Sequence, residues 1–385
     1  MRVIDGAGIA AALPFDRLIP ALRAAFTAGA EVPARHHHAL PGGATLLLMP
    51  AWQADWLGVK IVTVHPANAG RGLPSVHSTY LLSDAATGCP ALLLDGEALT
   101  ARRTAAASAL AASYLARADA GRLLLLGAGR VARLLPEAHR SVRPIHTVEV
   151  WNRTPGHADT LVADLRGQGF DAMRVDDLAA AAGRADIISA ATLSTVPPVQ
   201  GAWLRPGTHL DLVGAFTPAM READAAAVAR SRVFIDTAAA LGEAGELVSL
   251  GMDGVCGTLA TLCRGGPGRM DAGEITLFKS VGTALEDLAA AVLVGAVGGL
   301  SGYDHVLAIL GFIVLYRVFQ DYVLNPYLMS EGVTVEPIWV LFGLIAGEEI
   351  AGVTGVFLSV PVLAAAKILI ERVSQERRRG AEPSS

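Results

Sequence analysis

Residues Arg122 to Leu135 read RLLLLGAGRVARLL. Four leucines, Leu123 to Leu126, run into Gly127-Ala128-Gly129, and helix-forming residues follow at once. The pattern predicts a fully buried parallel strand, a tight glycine turn and a helix N-terminus. Gly127 permits the turn, Gly129 lets the backbone approach a diphosphate, and Ala132 is small where helix and strand must pack. The free N–H groups and positive dipole end of such a helix favour a bound diphosphate, with Ala128, Arg130 and Val131 in the same cradle.

A second strand-like run, His146 to Trp151, follows at the distance a βαβ unit requires. Sites for NAD usually end this strand with a carboxylate that binds the ribose 2′-hydroxyl. This chain has Asn152, Arg153 and Thr154 there. No carboxylate repels a 2′-phosphate and Arg153 can pair with one, so NADP(H) is expected as the preferred cofactor and NAD(H) as the alternative.

A chain of 385 residues holds two or three domains. A formal net charge of −5 gives no reason to expect nucleic acid. Three cysteines, Cys89, Cys256 and Cys263, match neither a disulfide framework nor a zinc spacing, which points to a reducing cytoplasm. The first residues lack a signal-peptide core. Mean hydropathy, +0.44, is high for a soluble enzyme, and the excess lies mostly after Leu288.

Upstream, residues 14–30 place Phe15, Leu18, Ile19, Leu22, Ala25 and Phe26 on one helical face. Strand-like runs at Thr45–Met49, Val59–Val64, Thr79–Leu82 and Ala91–Leu94 are separated by turn formers, as in an antiparallel meander. Thr100 is placed to cap an Ala-rich helix reaching about Arg117. Downstream, Ala185–Ala190, His209–Val213 and Val233–Asp236 alternate with Ala-rich segments, and residues 278–288 read as a loop entering a helix. Thr192, Gly214 and Asp236-Thr237 fall at the strand ends where cofactor and substrate meet.

Three cations are embedded in apolar or small sequence: Arg35, Lys60 and Arg103. Burying an unpaired ammonium within a strand is costly, so Lys60 either faces solvent or belongs to a site. The second reading makes the three a carboxylate-binding pocket, with Lys60 also able to donate a proton. Adjacent side chains on a strand point to opposite faces, so His36-His37-His38 reads as surface or pocket rim, and no metal site is expected.

These stretches resemble the ornithine cyclodeaminase/mu-crystallin family over about residues 1–291. The carriers are LLLMPAW, GVKIVTVHPAN, GLPSVHSTYLL, LTARRTAAASALAA, LLLLGAGRVA, VEVWNRTP and LFKSVGTALEDLAAA. The resemblance implies an α/β homodimer with a substrate-binding and dimerisation domain (1–118, α+β) and a Rossmann domain (119–291). It puts Arg35, Lys60, Arg103, Thr79 and Phe216 at the substrate. At the cofactor it puts Gly127, Ala128, Gly129, Arg130, Val131, Asn152, Arg153, Thr154, Thr192, Gly214, Ser280 and Gly282.

Ornithine cyclodeaminases carry two carboxylates for the substrate amines; here Leu47 and the run Gly214-Ala215-Phe216-Thr217-Pro218 stand in their places. Deamination of a diamino acid is therefore not expected. GAFTPAMREAD resembles the branch that reduces cyclic ketimines such as Δ1-pyrroline-2-carboxylate and Δ1-piperideine-2-carboxylate. An amino-acid dehydrogenase, a ligand-binding protein of mu-crystallin type and a membrane permease fragment are the competing readings.

Beyond Ala291 the chain resembles instead the end of an autoinducer-2 exporter-like permease, through FQDYVLNPYLM and LIAGEEIAGVTGVFLSVPVLAAAKIL. That reads as a fusion joined within Ala289–Gly295. Residues 305–322 and 337–370 are long enough for membrane spans, and Arg372, Arg377, Arg378 and Arg379 would flank them on the cytoplasmic side. A hydrophobic helical tail (292–372) would tether a cytoplasmic catalytic part to the inner membrane, with a polar end at 373–385.

Overall fold

A computed structural model describes residues 1–297, together with Leu363 and Lys367. The first of two compact units, Met1–Leu300, holds two sheets. The six-stranded sheet runs in the order Arg2–Ile4, Pro90–Asp95, Val76–Asp84, Trp56–Val64, Ala44–Gln53, His36–Leu40. Its first pair is parallel and the rest form the expected antiparallel meander, with strands longer than the apolar runs alone indicated. The helix Phe15–Ala28 buries Phe15, Leu18, Ile19, Leu22, Ala25 and Phe26, the stripe read from sequence.

The helix Gly96–Leu115 joins the two sheets. It starts one turn before Thr100, because the Asp95 carboxylate accepts from Glu97 N (2.9 Å) and Ala98 N (3.0 Å) and so caps it. It is buried around most of its circumference, with Ala101, Ala105, Ala106, Ala107, Ala109, Ala111 and Ala112 all inside. A helix packed on several sides needs small residues more than an amphipathic stripe.

The second sheet has eight parallel strands in the order Val255–Thr258, Arg232–Ile235, Thr276–Lys279, His209–Leu212, Ile187–Ala190, Arg122–Leu126, Thr147–Trp151, Asp171–Arg174. Leu123 to Leu126 are buried, as a strand covered on both faces demands. Thr276–Lys279 is a fully buried inner strand, and what read as a loop begins only at Ser280. Its polar ends, Thr276 and Lys279, concealed it.

Gly127 has φ +106°, and a Cβ there would lie 2.6 Å from Ala191 O, so only glycine fits. The segment after it departs from expectation. Residues 130–134 form turns, and regular helix begins only at Leu135, ending at Arg140. The cradle is therefore made by the turn more than by a long helix dipole.

The spans expected at 305–322 and 337–370 lie outside the described residues but for Leu363 and Lys367, as does the polar end 373–385. Among the described residues no helix is long and apolar enough to cross a membrane.

Within the second sheet, His209 is fully buried and its Nδ1 lies 3.0 Å from Thr276 Oγ1. Burial lowers its pKa from 6.5 to about 3, against the pull of Asp211. Its folded value lies below its unfolded value, so the unfolded chain takes up the proton first. Stability is thus expected to fall as pH drops from about 6.5 towards 3, by up to roughly 5 kcal/mol from this group. Denaturant unfolding at several pH values tests this; His209→Gln, which cannot protonate, should flatten the dependence.

Candidate active site

Lys60 lies mid-strand, opposite Met49 on one neighbour and Tyr80 on the other. Cross-strand partners share a face, and this face turns towards the helix Gly96–Leu115. The ammonium lies 2.7 Å from Asp287 Oδ2 and 3.5 Å from Thr100 Oγ1. Arg103, on that helix, donates from Nε to Asp287 Oδ1 (2.9 Å) and from Nη1 to Glu286. Lys60 and Arg103 are each 4% exposed, and Glu286 and Asp287 are completely buried.

Arg35, half-buried, pairs with Glu243 (2.8 Å) and donates to the carbonyls of Val281 (3.2 Å) and Gly282. Gly282 has φ +77°, and a Cβ on it would meet the Arg103 guanidinium at 2.4 Å. Arg35 and Arg103 thus both meet the loop 280–283, and Lys60 is tied to Arg103 through Asp287. A cavity of about 130 Å³ opens there, lined by Arg35, Met49, Thr237, Gly282, Thr283 and Ala284 among others.

Burial drives the Lys60 pKa down from 10.5 to about 8, with Asp287 opposing and Arg103 and Arg35 assisting. Burial raises Glu286 to about 7 despite Arg103. Asp287 is pushed up by burial too, but Arg103 and Lys60 outweigh it and hold it below the ordinary value. Glu286 and Asp287 were missed in the sequence. The signal was an acidic pair inside the otherwise apolar run TALEDLAAA.

Thr79 is placed elsewhere. It pairs with Ile61, one residue out of phase with Lys60, so it lies on the opposite, open face with Thr63 and His77. Phe216 stands on an exposed loop after the strand His209–Leu212 and is not among the cavity's lining residues. Leu47 shares the face of Lys60 and Met49.

Around the glycine turn, nothing lies within 4 Å of where a Gly129 Cβ would be, which leaves backbone open to a diphosphate. Ala128 and Val131 pack partly against the core, while Arg130 reaches Glu97 of the other half. Asn152 Nδ2 donates to Thr154 O (2.9 Å) and closes the turn after the strand. The exposed Arg153 guanidinium has no hydrogen bond or ion pair among the described residues.

Two buried acids organise the remaining loops. Glu222 accepts from Thr192 N (2.7 Å), Gly214 N (2.7 Å) and Ala215 N (3.1 Å), and Lys279 stands 3.4 Å away. Asp236 accepts from Ser280 Oγ (2.9 Å), Val281 N (2.8 Å) and Gly282 N (2.6 Å). Thr192, Gly214, Ser280 and Gly282 therefore sit on strand-end loops fastened by carboxylates. Such ends, beside an open glycine turn, fit a dinucleotide. Among the described residues no group of three His, Cys, Asp or Glu side chains is arranged to hold a metal.

Fold and site together define a two-sheet α/β protein with a dinucleotide cradle beside a buried cation cluster. The chain belongs to the ornithine cyclodeaminase/mu-crystallin family, whose model matches residues 9–296. A second model, the AI-2E family transporter, matches residues 288–375, and the expected junction at Ala289–Gly295 falls within the overlap. The chain is 43% identical to a Δ1-pyrroline-2-carboxylate reductase of Paracoccus denitrificans, over 64% of this chain and 82% of that one. It is 33% identical to the ketimine reductase mu-crystallin of Rattus norvegicus, over 68% and 82% of the two chains. The structure of Thermococcus litoralis Δ1-pyrroline-2-carboxylate reductase with NADH and L-proline superposes with a TM-score of 0.73. It is 32% identical and covers 76% of this chain and 96% of that one.

Proposed function

We propose that the chain reduces small cyclic ketimine carboxylates, such as Δ1-pyrroline-2-carboxylate and Δ1-piperideine-2-carboxylate, to L-proline and L-pipecolate. The observation that carries this is the pairing of Lys60 and Arg103 on Asp287, with Arg35 on the wall of a small cavity at Gly282. Named relatives with that activity support it. Residues 1–118 then serve the substrate and 119–291 the cofactor, with Gly127, Gly129, Asn152 and Arg153 holding the nucleotide. A nicotinamide held there would supply hydride chemistry to the imine carbon.

This chain's residues do the rest. The substrate carboxylate draws on the cations, with Arg35 best placed at the cavity wall. Leu47 and Met49 offer apolar surface for ring methylenes where a diamino acid would need acids. Lys60, with its pKa near 8, holds a proton at neutral pH that it can give to the imine nitrogen. Steady-state consumption of NADPH with Δ1-pyrroline-2-carboxylate, pyruvate plus ammonia, and ornithine tests the assignment. Turnover of the imine far above the other two supports it; the reverse ranking sinks it.

NADPH is the preferred cofactor on this reading, since Arg153 has no partner among the described residues and stands beside a strand end without a carboxylate. Arg153→Ala should erase most of the preference, about 1.5–3 kcal/mol for hydrogen bonds to a charged group. Equal affinities for NADPH and NADH in the parent, by fluorescence titration, would refute it.

The open face of the six-stranded sheet carries Val3, Leu46, Leu48, Trp52, Val59, Ile61, Leu81 and Leu93, with Val3, Trp52 and Ile61 exposed. A second copy covers such an apolar face, in a homodimer. Ile61→Glu should then yield monomers in sedimentation; an unchanged dimer would place the interface elsewhere.

A further inference from the structure

Asp287 gives one carboxylate oxygen to each of two buried cations. Oδ1 accepts from Arg103 Nε at 2.9 Å, and Oδ2 lies 2.7 Å from Lys60 Nζ. Its neighbour Glu286 takes the other side of Arg103 through Nη1. Acids in the first turn of a helix are favoured by its dipole, which accounts for an acid at the start of helical residues 284–297. It does not account for two consecutive acids turned inward, since neighbouring residues on a helix ordinarily point in different directions. Glu286 alone would neutralise Arg103. The second carboxylate is the one that reaches Lys60.

Around Lys60, the sheet contributes Tyr80, the helix Gly96–Leu115 contributes Arg103 and Thr100, and the segment before the strand His36–Leu40 contributes Arg35. Helical residues 284–297 contribute Asp287, with Glu286 beyond it on Arg103. Take Asp287 away, and the charges felt most strongly at Lys60 are two repelling guanidinium groups. The Tyr80 hydroxyl is buried under the influence of Asp287, lies over Gly58, and has no hydrogen-bond partner among the described residues.

We propose that Asp287 is a positioning residue of the reductase, bridging Lys60 and Arg103 so that Lys60 stays protonated and aimed at the imine nitrogen. This rests on the ketimine-reductase reading. In the step concerned, an N–H bond of the Lys60 ammonium breaks as an N–H bond forms on the substrate nitrogen. The neutral amine that remains is reprotonated from solvent, and the proton transfer itself oxidises nothing.

The chain has three lysines, Lys60, Lys279 and Lys367, so lysine labelled with ¹³C at Cε gives a spectrum that Lys60→Met assigns directly. In the full-length parent the Lys60 signal should titrate near pH 8. In Asp287→Asn the midpoint should drop by about one pH unit or more, as loss of an adjacent opposite charge demands. There kcat should fall about tenfold or more with its alkaline limb moved the same way, while KM changes less than about threefold because Arg35 and the Arg103–Glu286 pair remain. Asp287→Glu keeps the charge but moves it: Lys60 should titrate near its parent midpoint while kcat still drops, and this variant carries the test if the Asn variant does not fold. An unmoved Lys60 midpoint in folded Asp287→Asn overturns the proposal whether or not any ketimine is turned over. So does parent-like kcat in Asp287→Glu. A parent inert on every cyclic ketimine would instead remove the activity assignment, while the lysine titration still reports whether Asp287 holds the Lys60 proton.

Discussion

Lys60→Met is expected to lower kcat by about 10²–10⁴-fold, the range for loss of a positioned general acid. Met has similar length and suits the apolar face shared with Met49 and Tyr80, and Asp287 keeps Arg103 as partner. The fold and NADPH affinity should therefore survive. In the parent, activity should fall as pH rises through about 8, where Lys60 loses its proton, and the variant should lack that limb. Steady-state kinetics across pH on the parent and variant checks both. Parent-like kcat in Lys60→Met would assign the proton to water or another group.

Arg103→Met carries the second large effect, and it appears first in stability. The substitution strands Glu286 with no exposure to solvent and leaves Asp287 with Lys60 as its one charged partner among the described residues. Removing one partner of a buried ion pair costs about 3–5 kcal/mol, because the charge left behind is uncompensated. Chemical unfolding should show that loss. Arg103→Met combined with Glu286→Gln should recover part of it, since an amide tolerates the site better than a lone carboxylate. An Arg103→Met variant as stable as the parent would mean that the acids are solvated. The result also changes how a raised substrate KM in Arg103 variants must be read, as loss of the site's frame and not of one contact.

The glycine turn, the meander and the apolar stripe of Phe15–Ala28 were legible because each rests on local signals: a turn only glycine allows, alternation, helical spacing. The three cations were legible because each is costly where it stands. Their partners were harder. Glu222, Asp236, Glu286 and Asp287 sit at strand ends or a helix start, where acids are ordinarily solvated, and only the folded chain turns them inward. A lysine in an apolar strand does imply an acid somewhere, but spacing does not locate it across more than two hundred residues of chain. Thr79 failed for a different reason. Its face depends on the register of Val76–Asp84 against Trp56–Val64, and a shift of one residue reverses every side chain. The inner strand Thr276–Lys279 was hidden by the polar residues that the neighbouring loops need.

The measurement that bears most directly on the account is transfer of deuterium from NADPH labelled at nicotinamide C4 to Δ1-pyrroline-2-carboxylate by the full chain. Mass spectrometry should find proline carrying one deuterium at Cα, formed in step with NADPH consumption and absent in Lys60→Met on the same timescale. Saturable NADPH binding with no labelled proline or pipecolate from either cyclic imine would contradict the account and leave a binding protein.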